Sequence, residues 1–265
     1  FGDREVPVDT GFIVYNERNY PHLTGLFGHL GVPTQATDMS FSASVGAGRL
    51  EYAGSNLGTL FAQRRNLLRP GFLGMLADIL RFNRHGRRLL AANQASRIPL
   101  GEYLDLYNYG TSFRDHYLLP MAAAIWSCPT RAMLSFPLDA FLRFFRNHGL
   151  LDLVDRPQWR TVVGGGRTYV ERMLADLPDV RPGAGVVQVL RSGDGVWVGS
   201  ADGRREHFDQ VVLAGHADEM LALIDRPGFW ERELLASFGY QRNRAVLHTD
   251  AGLMPRRRRV WSSWN

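Results

Sequence analysis

Three consecutive glycines, Gly164-Gly165-Gly166, separate the short apolar run Trp159-Arg160-Thr161-Val162-Val163 from a helical pattern over Thr168 to Leu177. Backbone N–H groups at such a turn can face an anion or a ribityl chain. A tight turn that only packs helix on strand is the other reading. The glycines are not a dinucleotide fingerprint, because no G-x-G-x-x-G with a downstream acid occurs. A second glycine, in Asp9-Thr10-Gly11, falls in the middle of a strand-like run from Val6 to Tyr15. A glycine there marks a place where something approaches the backbone closely. His216 ends the apolar run Phe208 to Ala214 and opens a helical pattern from Ala217 to Ile224. Ligand crevices form at such strand ends in α/β sheets, although a helix-capping or hydrogen-bonded structural histidine fits as well.

Other chemistries lack their residues. The eight histidines show neither H-x-x-x-H nor H-E-x-x-H spacing, so no metal site is expected. There is no G-x-S-x-G nucleophile elbow, and Ser127 and Ser135 sit in apolar, helical surroundings. The single cysteine, Cys128, rules out an intrachain disulfide framework and reads as a buried structural thiol. All 31 basic residues are arginine. Without lysine, the chain can form neither a lysine Schiff base nor a P-loop. The formal net charge of +5 permits an acidic partner without specifying one.

Arg81, Arg84 and Arg88 fall on one helical face. A solvated face, a lipid-surface helix and nucleic-acid contact are the three readings, the last disfavoured because no aromatic residue interleaves on that face. Arg256 to Arg259 form a short run at a turn after Pro255.

These residues need a scaffold. At 265 residues the chain is one large domain or two medium ones, and its 45% hydrophobic and 22% charged content is that of a globular protein. Pro21 starts a short helix that Gly31 ends. Met39 to Val45 alternates with period 2, and Gly46 to Gly48 turn it into a second strand, Arg49 to Tyr52, giving a β-hairpin. From Leu57 to about His148 the pattern is helical, and Pro99, Pro120, Pro129 and Pro137 punctuate four further short helices. Strands are expected at Val186 to Leu190, Val196 to Gly199 and Phe208 to Ala214, and β structure again at Tyr240 to His248 and Val260 to Trp264. The expected class is therefore α/β or α+β with a parallel component. The first residues lack the apolar core of a signal peptide, and the longest hydrophobic uncharged run, Tyr117 to Thr130, is too short to span a bilayer.

Several strings become informative together: Val8-Asp9-Thr10-Gly11-Phe12-Ile13-Val14-Tyr15-Asn16, Asp38-Met39-Ser40-Phe41-Ser42, Tyr117-Leu118-Leu119-Pro120-Met121 through Ile125-Trp126-Ser127, Gly164 through Glu171, Val211-Val212-Leu213-Ala214-Gly215-His216, and Trp261-Ser262-Ser263-Trp264-Asn265. Their order resembles the bacterial flavin-containing amine-oxidase-like family, often labelled predicted NAD/FAD-binding proteins. The wider superfamily holds monoamine oxidases, phytoene desaturases and protoporphyrinogen oxidases. The resemblance implies a partial FAD-binding, Rossmann-like α/β domain, 1–36 and 159–225, interleaved with a substrate domain of mixed or antiparallel sheet plus helices, 37–158 and 226–265. It implies FAD as cofactor, with Asp9, Thr10, Gly11 and Phe12 at the ring side, Val186 beside the adenine, and Ala214 and His216 on the returning strand. The family's dinucleotide fingerprint is expected before Phe1 and its flavin-closing segment after Asn265, so the chain reads as a fragment.

The implied activity is hydride transfer from a small, apolar or lipid-like substrate to flavin. Many amine oxidases use a lysine near flavin N5, and its absence here leaves desaturation open. No catalytic base is assigned. The substrate cavity is expected between the hairpin around Phe41 and the helices around Tyr117 and Trp126. A cytoplasmic place with optional peripheral membrane contact, and no nucleic-acid partner, completes this reading. The alternative is a non-catalytic, arginine-rich binding module for nucleic acid or an acidic membrane surface.

Overall fold

A computed structural model describes residues 8–11, 14–95, 97–152 and 156–265. The chain forms two compact units, Phe1–Ala175 with Leu247–Asn265, and Asp176–Val246.

In the first unit, α1 (Pro21–His29) starts at its proline and leads into β1 (Thr34–Thr37). The hairpin follows as β2 (Ser42–Val45) and β3 (Leu50–Ala53), with Val45 opposite Leu50. A helical stretch comes next: α2 (Leu57–Leu60), α3 (Pro70–Ala91), α4 (Leu100–Leu106), α5 (Thr111–Phe113), α6 (Leu119–Trp126), α7 (Thr130–Met133) and α8 (Leu138–Asn147). Pro99, Pro129 and Pro137 stand immediately before α4, α7 and α8 in extended conformation. A residue with fixed φ and no N–H is well suited to that place, since the first turn's donors need no partner inside the helix. Strand β4 (Trp159–Val162) and α9 (Arg167–Ala175) follow, and the segment Leu247–Asn265, with short 3-10 turns at Ala251–Leu253 and Arg258–Val260, completes the unit.

The helical core is aromatic. Leu138, Phe141, Leu142 and Phe145 form the buried face of α8 at helical spacing. Phe141 stacks on Phe145 with ring centroids 4.1 Å apart, and Phe82 of α3 meets Tyr103, Tyr109, Phe113 and Phe141. Burying one such side chain contributes about 1.5–3 kcal/mol. Trp126 joins this core through Phe136 and Phe144. A smaller cluster of Tyr15, Phe27, Val32 and Val162 packs α1 beneath the β1–β4 pair.

The second unit is a meander of β5 (Val186–Ser192), β6 (Gly195–Ser200) and β7 (Arg205–Phe208), followed by α10 (Ala217–Leu223) and α11 (Phe229–Ala236). Its buried apolar contact joins Val189 to Ile224, and the Asp225 N–H donates to the Val189 carbonyl at 2.8 Å.

The fold is mixed helix and sheet, and its sheets differ from expectation. Every ladder is antiparallel, and parallel contact among the described residues is confined to the single bridges Phe41–Trp264 and Val189–Ile224. The described part of the run Val6 to Tyr15 is irregular except where Tyr15 bridges Arg160. The third strand of the meander ends at Phe208, so 209–214 are irregular, and so are 240–248. The reason is common to all three: a strand exists only where a neighbour accepts its backbone hydrogen bonds, and these apolar runs have no ladder partner among the described residues. Conversely β1, with no apolar alternation, is a strand because β4 pairs with it from Thr34↔Val162 to Thr37↔Trp159. No helix among the described residues is long and apolar enough to cross a membrane.

Candidate functional site

The hairpin, the end of the β1–β4 pair and the helical core enclose a cavity of about 360 Å³ in the first unit. Thr37 and Trp159, cross-strand partners at the end of their ladder, form one wall. Phe41, Tyr52 and Gly54 of the hairpin form a second, and Tyr117 and Met121 a third. Tyr117 reaches the cavity from a single π-helical turn, Arg114–Leu118, inserted between α5 and α6. Such turns re-aim side chains and recur at functional sites. The buried Tyr52 hydroxyl donates to the His116 carbonyl at 2.7 Å and ties hairpin to π-turn.

Polar groups share the lining with these apolar walls: Asp38, Ser40, Ser55, His148, Arg156 and Gln158 all line the cavity. His148 stacks on Phe144 with centroids 3.9 Å apart and lies parallel to Trp159. Its Nδ1 lies 2.9 Å from the Phe144 carbonyl. Asp38 and Arg156 supply the opposite charges. Burial pushes the Tyr117 phenol up, against the pull of the Arg156 charge, and burial raises the Tyr52 phenol well above its usual range. Both stay neutral near pH 7, so this part of the lining is apolar with two hydroxyls.

The floor of the hairpin is held by an ion pair. Glu51 is fully buried, and its carboxylate accepts from Arg257 at 2.7 Å, from the Arg256 N–H at 2.6 Å and from the Ser44 hydroxyl at 3.2 Å. Burial alone would raise this carboxyl, but those donors outweigh it and hold it below the ordinary glutamate range. The arginine run after Pro255 is thus a structural clasp. The chain end is fastened beside it: Trp264 donates to the Ser40 carbonyl and accepts from the Ser42 N–H.

The glycine triplet is the second feature. Gly164 and Gly165 take φ of +85° and +86°, which side chains rarely adopt. The Asp9 carboxylate accepts the Gly166 N–H at 2.8 Å, and a Cβ on Gly165 would lie 3.2 Å from it. Thus Asp9 and the triplet, 157 residues apart, are brought together. Thr10 and Gly11 are exposed next to them in sequence, and a Cβ on Gly11 would meet no heavy atom within 4 Å. Phe12 lies outside the described residues. Val186, Ala214 and His216 belong to the second unit. Val186 starts β5, Ala214 is exposed in the irregular segment, and His216 precedes α10 with its ring stacked on Tyr240, centroids 4.5 Å apart.

Sequence reasoning placed the cavity at Phe41 and Tyr117, where it lies, but also at Trp126, which does not line it and packs in the aromatic core. It missed His148, Asp38 and Arg156, because nothing local to those residues signals a shared cavity. Cys128 is half-buried, with its Sγ 3.3 Å from Met133 Sδ, and burial raises the thiol.

A family model described as flavin containing amine oxidoreductase matches residues 1–249. The chain belongs to that family. Flavin is the cofactor the family's description carries. Among solved structures the chain is similar to putrescine oxidase with putrescine bound, at 17% identity and a TM-score of 0.59, covering 86% of this chain and 52% of that one. It is similar to the CLA-producing fatty acid isomerase from P. acnes at 14% identity and a TM-score of 0.58, with the same coverage. These likenesses show the fold this flavin amine oxidoreductase family member shares, and the chain spans about half the length of either structure. No curated protein matches it by sequence.

Proposed function

We propose that this chain serves an FAD-dependent oxidoreductase that takes a hydride from an apolar, lipid-like substrate held in the cavity of the first unit. The observation that carries the reading is the lining: Phe41, Tyr52, Tyr117, Met121, Leu150 and Trp159 give the cavity an apolar side beside polar groups such as Asp38, His148 and Arg156, and the two tyrosines are neutral. In ligand sites polar groups placed among apolar walls fix the ligand's orientation. Flavin, when bound, supplies the hydride acceptor.

The protein's own residues position and exclude. Phe41 and Tyr117 would flank the substrate and keep water from it, and His148, held between Phe144 and Trp159 with its ring nitrogens beside the Phe144 carbonyl and the Tyr20 hydroxyl, would close one end. Asp9 shapes the glycine turn, and Gly11 leaves room for the ring. The assignment of Val186, Ala214 and His216 to the same cofactor rests on family resemblance alone. So does the division into cofactor segments, 1–36 and 159–225, and substrate segments, 37–158 and 226–265. The lack of lysine in this chain leaves desaturation open beside amine oxidation.

Anaerobic mixing of the yellow full-length protein with candidate substrates tests this reading. Fatty-acyl compounds should bleach the flavin absorbance and putrescine-like amines should not. Bleaching by amines alone would reverse the substrate assignment, and a colourless full-length protein would end the flavin reading.

A further inference from the structure

A second, smaller cavity of about 140 Å³ shares no residue with the first. Arg81, Arg84, His85 and Arg88 of α3 form one wall, and Tyr107 and Tyr109, just after α4, form the other. Spacing of three, four and seven residues places the four basic side chains on one helix face. The aromatic interleaving that the helix sequence lacks is therefore supplied in space by another segment.

The groups here divide into committed and free. Arg81 pairs with Asp78 at 2.7 Å, donates to the Tyr107 and Asn108 carbonyls, and lies 4.1 Å from the centroid of the Tyr109 ring. Asp78 is also held by the Gly110 N–H. Arg81 thereby fixes the tyrosine wall to the helix and has no donor set to spare. Arg84 and Arg88 are exposed and have no carboxylate partner among the described residues. The His85 ring packs against Tyr107 at 4.4 Å, and its Nδ1 lies 2.8 Å from the Tyr103 hydroxyl. When Tyr103 donates to Nδ1, the neutral imidazole carries its proton on Nε2 and is itself a donor. Burial first, then the charges of Arg81 and Arg88, hold the imidazole below its usual range. The pocket thus carries the positive charges of Arg84 and Arg88, which no carboxylate among the described residues pairs with, while Asp78 pairs with Arg81.

We propose that Arg84, His85 and Arg88 form a binding site for a phosphate monoester group. Guanidinium forks match phosphate oxygens in charge and geometry. The volume lies below the roughly 300–1,000 Å³ of pockets for whole drug-sized ligands, so a compact head group is what fits. The group can arrive as free phosphate or on a phospholipid such as phosphatidic acid. Exposed Leu73 and Leu80 on the same helix give the second source an apolar surface to meet.

The test uses the full-length protein, wild type and the double variant R84Q/R88Q. Inorganic phosphate is titrated by calorimetry at constant ionic strength, and flotation is measured with phosphatidylcholine vesicles with and without phosphatidic acid. Neither arginine pairs with a carboxylate among the described residues, so the melting temperature should be unchanged and any loss of binding is local. Saturable phosphate binding that weakens about threefold to thirtyfold in the variant supports the site. Flotation that requires phosphatidic acid, is competed by phosphate and is lost in the variant assigns the group to a lipid; phosphate binding without flotation assigns it to a soluble ligand. Absence of both kinds of binding, or binding that the variant retains, overturns the proposal.

Discussion

The Asp9 carboxylate accepts the Gly166 backbone N–H at 2.8 Å and so caps the approach to α9 from the other end of the first unit. The contact joins the two sequence features singled out for cofactor chemistry. The carboxylate occupies the space beside Gly165 that a side chain there would enter. Removing the acceptor should cost about 1 kcal/mol, as for other lost caps. Asp9→Ala should lower urea stability by that amount, whereas Asp9→Asn, which keeps an oxygen acceptor, should retain most of it. Equal stability of Asp9→Ala and wild type would show that the bond carries no weight in solution.

Gly11 gives a cleaner test of cofactor placement. A Cβ placed there has no heavy atom of the described residues beyond its chain neighbours within 4 Å, so Gly11→Val is compatible with the fold. A lower flavin-to-protein ratio with an unchanged melting temperature of the apoprotein is expected. Wild-type flavin content would move the ring away from Gly11.

Gly54 lines the larger cavity, and no heavy atom lies within 4 Å of where its Cβ would be. Gly54→Leu should therefore fill the cavity rather than disturb the hairpin. We expect kcat/KM for the preferred substrate to fall about tenfold or more while the melting temperature stays near wild type. Undiminished turnover would mean that substrate binds elsewhere.

The Glu51 clasp makes stability depend on pH. Its folded pKa is lowered by Arg257, the Arg256 N–H and Ser44, which outweigh burial. A depressed carboxylate contributes fully above its unfolded value, about 4.3, and that contribution is lost as pH falls through the folded value. Glu51→Gln should destabilise the protein by about 1–3 kcal/mol at neutral pH. It should also flatten the decline in stability below about pH 4. Denaturant midpoints measured across that range check both the size and the sign.

Sequence alone determined what depends on near neighbours. A helix satisfies its hydrogen bonds within four residues, so Pro99, Pro129 and Pro137 marked the starts of α4, α7 and α8 correctly. The hairpin was legible because its alternation and its Gly46–Gly48 turn lie within one short stretch. The ordered family strings were legible for the same reason, and the family they resemble is the one the chain belongs to. Tertiary structure decided everything that needs a distant partner. Thr34–Thr37 became a strand because Trp159–Val162 lies beside it, and 209–214 did not, because nothing among the described residues pairs with it. Arg257 found Glu51 across 206 residues, Asp9 found Gly166, and Tyr109 slid under Arg81. Strand ladders, buried ion pairs and cavity walls are made between segments, and their partners are set by packing of the whole unit rather than by the local order of residues.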